Sequence, residues 1–238
     1  MNDVHFETSP NANGGTATYN GGEKGWGRRT LDVASHSANS ITFVVFDREW
    51  NGFPGKPAAC ITHSLRPYEW QISIGFVAVK TPSPVSMSQQ VFWNLDGFSS
   101  DSTHAVTNHT LKLPYSGLRF DTDEEGVPSG DLRGNLKGSL YDFWSDGRRL
   151  DEIHPNHSMA EGEARKLTQT FDEIFMISRS QPWKREDGPA AVLASDRSGI
   201  TVELYTDQEA LRVHTWDSKD GKRSFSAVVV PLQAWIGV

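Results

Sequence analysis

The sequence predicts an all-β domain of the sandwich or barrel type. Short runs of alternating or apolar residues dominate it, nearly every run is closed by Gly, Pro, Asn or Asp, and helix-forming composition is confined to one stretch. Ile41 to Phe46 (ITFVVF) is built from β-branched and aromatic residues and reads as a strand. Ala58 to Leu65 and Tyr68 to Val79 flank Arg66-Pro67 and read as a hairpin. Val85 to Leu95, Thr110 to Leu113, Ile174 to Ser178, Ala190 to Ala194, Ile200 to Tyr205, Leu211 to Thr215 and Ser224 to Val230 complete the strands. Only Met159 to Thr168 (MAEGEARKLT) has the composition of a helix, and Gly162 weakens it. No repeat, low-complexity tract or linker divides the chain, so residues 1–238 are expected to form one β-sandwich domain.

Charge and composition remove several classes of function. A net charge of −7 and a pI near 5.6 argue against nucleic acid, whose binders cluster Lys and Arg. No apolar run is long enough to span a bilayer, and Met1 to Gly15 lacks the basic and apolar regions of a secretory signal, so a cytoplasmic protein is expected. The single cysteine, Cys60, excludes an intramolecular disulfide; within Ala58-Ala59-Cys60-Ile61 it is expected to be buried and inert. The carboxylates from Asp121 to Glu125 lack the spacing of a calcium loop, so Asp123 to Gly130 reads as a solvated turn and no metal is expected. There is no phosphate-cradling glycine loop and no GxSxG elbow, and no cofactor is expected.

A series of motifs from Tyr19 onward resembles the aldose 1-epimerase family. Asn20-Gly21-Gly22-Glu23-Lys24-Gly25-Trp26 is similar to that family's His-Gly-Gly-x-x-Gly-Phe, and Asp47 through Gly52-Phe53-Pro54-Gly55 to its Asp-Gly…Gly-Tyr-Pro-Gly loop. Pro84 to Leu95 follows Pro-Val-Asn-Leu-Thr-Asn-His-x-Tyr-Phe-Asn-Leu, and Asp123 to Gly130 follows Asp-Glu-x-x-Ile-Pro-Thr-Gly. Asn108-His109, Tyr141-Asp142, Phe171-Asp172-Glu173-Ile174-Phe175, Gly199 to Thr206 and Arg212-Val213-His214-Thr215 continue the series in order. The resemblance implies a galactose mutarotase-like β-sandwich, or supersandwich, with a concave ligand-binding face. It also implies that the family's N-terminal strands, with its substrate-binding Arg, have no counterpart after Met1. Sheet edges or apolar surface left bare in that way predict a homodimer, or a Met1 to Thr18 segment folded back over an edge.

The family's chemistry needs a Glu base, a His acid and further side chains that hold the sugar. By the resemblance, the acid's position is Gln90, which cannot deliver a proton near neutral pH; the second His position is Asn20, and the base's position is Pro231. The retained residue is Asp172. Glu173, His63, His214 and Arg212 stand where the family has His, Tyr, Tyr and Gln, and with Asp172 they form a candidate new polar set on the old pocket wall. Asp172, His214 and Gln90 are the catalytic candidates; Asn20, Arg212, His63, Trp93 and Glu173 are the substrate-binding ones. Strand alternation sends Asp172 and Glu173 to opposite faces. Asp172 is therefore expected to line the pocket beside Gln90, Asn20 and His214, clear of any surface salt bridge, with Glu173 turned away. The damage to the acid–base pair points to a repurposed, cofactor-independent isomerase or cyclase acting on a small organic molecule, with secondary metabolism as a natural setting. A non-catalytic carbohydrate- or ligand-binding module and residual aldose 1-epimerase activity are the alternatives.

Overall fold

The computed structural model describes residues 5–48, 52–77, 87–98, 106, 108–123, 127–150, 171–179, 188–217, 226–229 and 232–233. The chain divides into two compact units, Met1–Met87 with Trp235–Val238, and Ser88–Ala234.

In the first unit, β1 (Asp32–His36), β2 (Ser40–Phe46), β3 (Ala58–Arg66) and β4 (Glu69–Val77) form an antiparallel sheet in that order. Period two sorts its residues. Ile41, Phe43 and Val45 of β2 lie opposite His63, Ile61 and Ala59 of β3, which in turn oppose Ile72, Ile74 and Phe76 of β4, so one face is apolar. Val45 and Ala59 are buried there with Met87, against Trp26, Leu31, Ile61, Ile74 and Phe76. The other face pairs hydroxyls across strands, Ser40 with Ser64 at 3.2 Å and Thr42 with Thr62 at 3.0 Å. Cys60 belongs to this second face, beside Gly75, and is exposed, which corrects the expectation of a buried thiol. The apolar run around it misleads because alternation, not local composition, chooses the side. The expected hairpin forms around Pro67 and Tyr68, the latter at φ +62°, the left-handed value that the second position of a proline-led type II turn takes. The described part of the N-terminal segment bridges to itself, Ala12 to Ala17, and packs on the loop at Gly52–Phe53.

The second unit holds two sheets. One runs β10 (Arg148–Arg149), β7 (His109–Lys112), β12 (Ala191–Ser195) and β13 (Thr201–Leu204). The larger runs β5 (Ser88–Gln89), β16 (Leu232–Gln233), β14 (Ala210–Asp217), β11 (Asp172–Met176), β8 (Leu118–Thr122) and β9 (Pro128–Gly134), while β15 (Ser226–Val229) joins β14 to β6 (Phe92–Trp93). Leu111 and Leu193 from the smaller sheet meet Phe175, Leu211 and Val213 from the larger, with Phe143 and Phe171 between, in one core. Buried polar groups are tied in: Asn135 donates to the Ser116 carbonyl and accepts from Arg119, and His109 Nε2 accepts the Leu95 N–H at 2.8 Å. Within the run Val85 to Leu95 the described residues carry two short strands, β5 and β6, instead of one, and β9 begins at Pro128, inside the stretch read as a turn. The Met159 to Thr168 helix lies outside the described residues.

Candidate functional site

The site follows from the pairing of β11 with β14. Asp172 lies opposite His214 and Ile174 opposite Arg212. Opposed residues share a face, so these four project from one side of the sheet, while Glu173 and the fully buried Val213 project from the other, the core side. The row through Asp172 and His214 continues to Val229 of β15 and Phe92 of β6. On the other flank Phe175 opposes Arg119, which leaves Phe120 on the Asp172 side, with Leu132 of β9 opposite it. Phe92 and Leu132 are 42% and 45% exposed. Three polar side chains are thus set among Phe92, Ile174, Phe120 and Leu132.

Arg212 grips Asp172 with two hydrogen bonds, Nε to Oδ1 and Nη2 to Oδ2, both 2.6 Å. This is the charge-assisted fork that fixes both groups in one plane. His214 Nδ1 lies 3.3 Å from the same Oδ2, within ion-pair range but off the direction of a good hydrogen bond. Burial alone would raise the Asp172 pKa; the Arg212 hydrogen bonds, the His214 contact and their charges outweigh it and bring it from 3.8 to about 2. Such a carboxylate is a poor proton acceptor near neutral pH. It is instead committed to Arg212, with the imidazole of His214 beside it. His214 Nε2 has no hydrogen-bond partner among the described residues, and with Nδ1 buried the exposed part of the ring is its outer edge.

A depressed carboxylate pKa contributes stability that is fully present above the unfolded value, 3.8, and lost as the pH falls through about 2. Asp172→Asn is therefore expected to flatten the dependence of stability on pH in that acid window and to leave the slope above about pH 5 unchanged. Urea unfolding at a series of pH values reads this directly. A variant that keeps the wild-type acid slope would show that the pair does not hold the carboxylate.

The structure rearranges the sequence-derived set. Asp172 is in a bidentate ion pair, not clear of one, and that pair itself stands on the site face. Glu173 lies on the opposite face, 3.9 Å from Arg119, whose guanidinium stacks 3.5 Å from the Tyr141 ring centre. Trp93 opposes Val228 and packs against the core, so alternation places Phe92, not Trp93, on the Asp172 side. The signal is in the sequence: Trp93 and Leu95, two apart and both large and apolar, share the core face. Gln90 is exposed between β5 and β6. Asn20 and His63 belong to the first unit. Asn20 sits at φ +49° in a tight turn closed by Gly22 N–H on the Tyr19 carbonyl, and Gly25 passes so near that a Cβ there would fall 1.9 Å from the Asn20 carbonyl oxygen. His63 stacks on Trp70 at 5.6 Å and accepts from Trp70 Nε1 at 3.1 Å. Pro231 lies outside the described residues. A cavity of about 320 Å³, lined by Tyr115, Trp144 and Ser178 among others, lies past the far end of β11 and contains none of the candidates.

The profile of the aldose 1-epimerase family matches residues 1–234, and the chain belongs to that family. A Gibberella zeae protein named Epimerase FSL3 is 48% identical over 92% of this chain and 54% of its own length. An Escherichia coli aldose 1-epimerase is 27% identical over 94% of this chain and 60% of its own, and a probable aldose 1-epimerase of Arthroderma benhamiae 26% identical over 91% and 52%. The chain therefore spans little more than half the length of these relatives. Among solved structures, a Caenorhabditis elegans GalM/aldose epimerase homologue superposes with a TM-score of 0.78 at 22% identity, covering 98% of this chain and 67% of that one. A putative aldose 1-epimerase of Escherichia coli gives 0.64 at 13% identity, covering 98% and 66%. At these identities the likeness speaks to the fold, which is the all-β, galactose mutarotase-like one. Among the described residues no helix is long and apolar enough to cross a membrane.

Proposed function

We propose that the chain carries the site of a cofactor-independent isomerase of the cyclase type. In it His214 shuttles one proton while a ring in a small organic substrate opens or closes. The observation that carries this reading is the Asp172–Arg212–His214 constellation: a carboxylate ionised down to about pH 2, held by Arg212, stands 3.3 Å from an imidazole whose outer nitrogen is unpartnered among the described residues. In ring opening, His214 Nε2 takes the proton of a hemiacetal hydroxyl, the carbonyl forms as the bond to the ring oxygen breaks, and the same proton returns to that oxygen. Closure is the reverse. Membership of a family whose relatives are named epimerases supports the reaction class.

The apolar surround of Phe92, Phe120, Ile174 and Leu132 supports a substrate with a hydrophobic body and one hydroxy-carbonyl unit, of a kind met in secondary metabolism, over a free aldose with a hydroxyl on nearly every carbon. Gln90, standing where the family has its acid, agrees with that. The test uses 2-hydroxytetrahydropyran, a cyclic hemiacetal without further hydroxyls, and NMR exchange spectroscopy of its ring–chain interconversion. Saturable acceleration is expected. Saturable binding without acceleration would leave a ligand-binding module, and neither would remove the reading.

A further inference from the structure

We infer that β4 is a self-association edge, along which two copies of this chain pair antiparallel about a two-fold axis at Ser73. Among the described strands β3 is its sole neighbour. Sheet edges in natural proteins are blunted by charge, proline, bulges or shortness, since a long, flat, neutral edge offers its free N–H and C=O groups to another strand. The other edge of this sheet, β1, is blunted in that way: its register shifts between Val33 and Ser35, Asp32 and His36 stand at its ends, and its residues are all exposed. β4 lacks the register shift and is charged at one end only. Its nine residues pair with β3 without a register break, contain no proline, and carry one charge, Glu69, at the very start.

The sequence of β4 also matches itself. With Ser73 opposite Ser73, Ile72 meets Ile74 and Trp70 meets Phe76 on the apolar face, while Gln71 meets Gly75 on the other. Glu69 falls opposite Val77, so no like charges oppose one another. Of the registers that keep apolar residues facing apolar ones, this pairs all nine residues; a one-residue slip sets Ile72 against Ser73 and mixes the faces. The same palindrome makes the contact isologous, the form that closes at two copies. Pairing would extend the apolar row across both sheets and bring Trp70, 43% exposed, against a second strand.

Light scattering on the full chain is expected to give a dimer. Ser73 is exposed, so Ser73→Lys is tolerated by the monomer but sets Lys against Lys at the axis. Ser73→Lys and Ser73→Glu, each folded by circular dichroism, are expected to be monomeric alone and to recover the dimer mass when mixed. Ser35→Lys, on the opposite edge, is expected to remain dimeric. A monomeric wild-type chain, a Ser73→Lys variant of dimer mass, or dissociation by Ser35→Lys in place of Ser73→Lys would each overturn the proposal.

Discussion

Replacing His214 with alanine is expected to lower kcat/KM for 2-hydroxytetrahydropyran ring opening by about 10²–10⁴-fold, the usual worth of a positioned proton-transfer group. The loss should fall on kcat, because His214 shares its face with Phe92, Ile174 and Phe120, which supply the apolar contact and are untouched. Added imidazole should restore part of the rate to His214→Ala and none to a variant lacking Arg212. Arg212→Met should fail differently: it takes away the two 2.6 Å hydrogen bonds that hold Asp172, so the carboxylate swings free and orientation of the imidazole is lost with it. Wild-type rates in His214→Ala would remove the imidazole from the mechanism.

Phe143→Ala is expected to destabilise the protein by about 3–5 kcal/mol, the range for emptying a buried phenyl site. Phe143 is fully buried, and its ring meets Phe171 and Phe175 at 5.6 Å each, edge-on at 68° and 82°. Such edge-to-face pairs add to area burial, and three interlocked rings leave little room to collapse into the void. Phe175 sits on β11 with its side chain on the face opposite Asp172, so this cluster is the floor on which the site rests. Urea unfolding measures the loss; a change below about 1 kcal/mol would mean the core closes over the gap.

Alternation and turn chemistry make much of this arrangement legible in the amino-acid sequence. β2, β3 and β4 can be read because β-branched and aromatic residues recur through runs of seven or nine positions and Pro67 marks the turn. β9 cannot: Pro128, Ser129, Gly130 and Asp131 have turn chemistry, and only pairing with β8, eased by Gly130 at φ +97° and a register shift at Phe120, makes them a strand. At the site, Asp172, Arg212 and His214 are identifiable because the motifs order them onto β11 and β14, where register does the rest. The ion pair itself is not, since a two-residue step along β14 does not reveal that Arg212 reaches across to Asp172. Trp93 draws the eye as a large aromatic, yet period two gives the face to its smaller neighbour Phe92. His63 has a local explanation in its stack with Trp70, and Asn20 in a left-handed turn position that Asn tolerates better than most residues.

The measurement that bears most directly on the central claim is polarimetry of freshly dissolved α-D-glucose and α-D-galactose with the purified chain. If Gln90 stands at the position of the family's acid, and with Asp172 ionised down to about pH 2 and committed to Arg212, no acceleration of anomer interconversion beyond the uncatalysed rate is expected, while 2-hydroxytetrahydropyran is turned over. Acceleration of either sugar at enzyme-typical efficiency, abolished by Asp172→Asn, would show that the chain is an ordinary aldose mutarotase and would overturn the proposed cyclase-type chemistry.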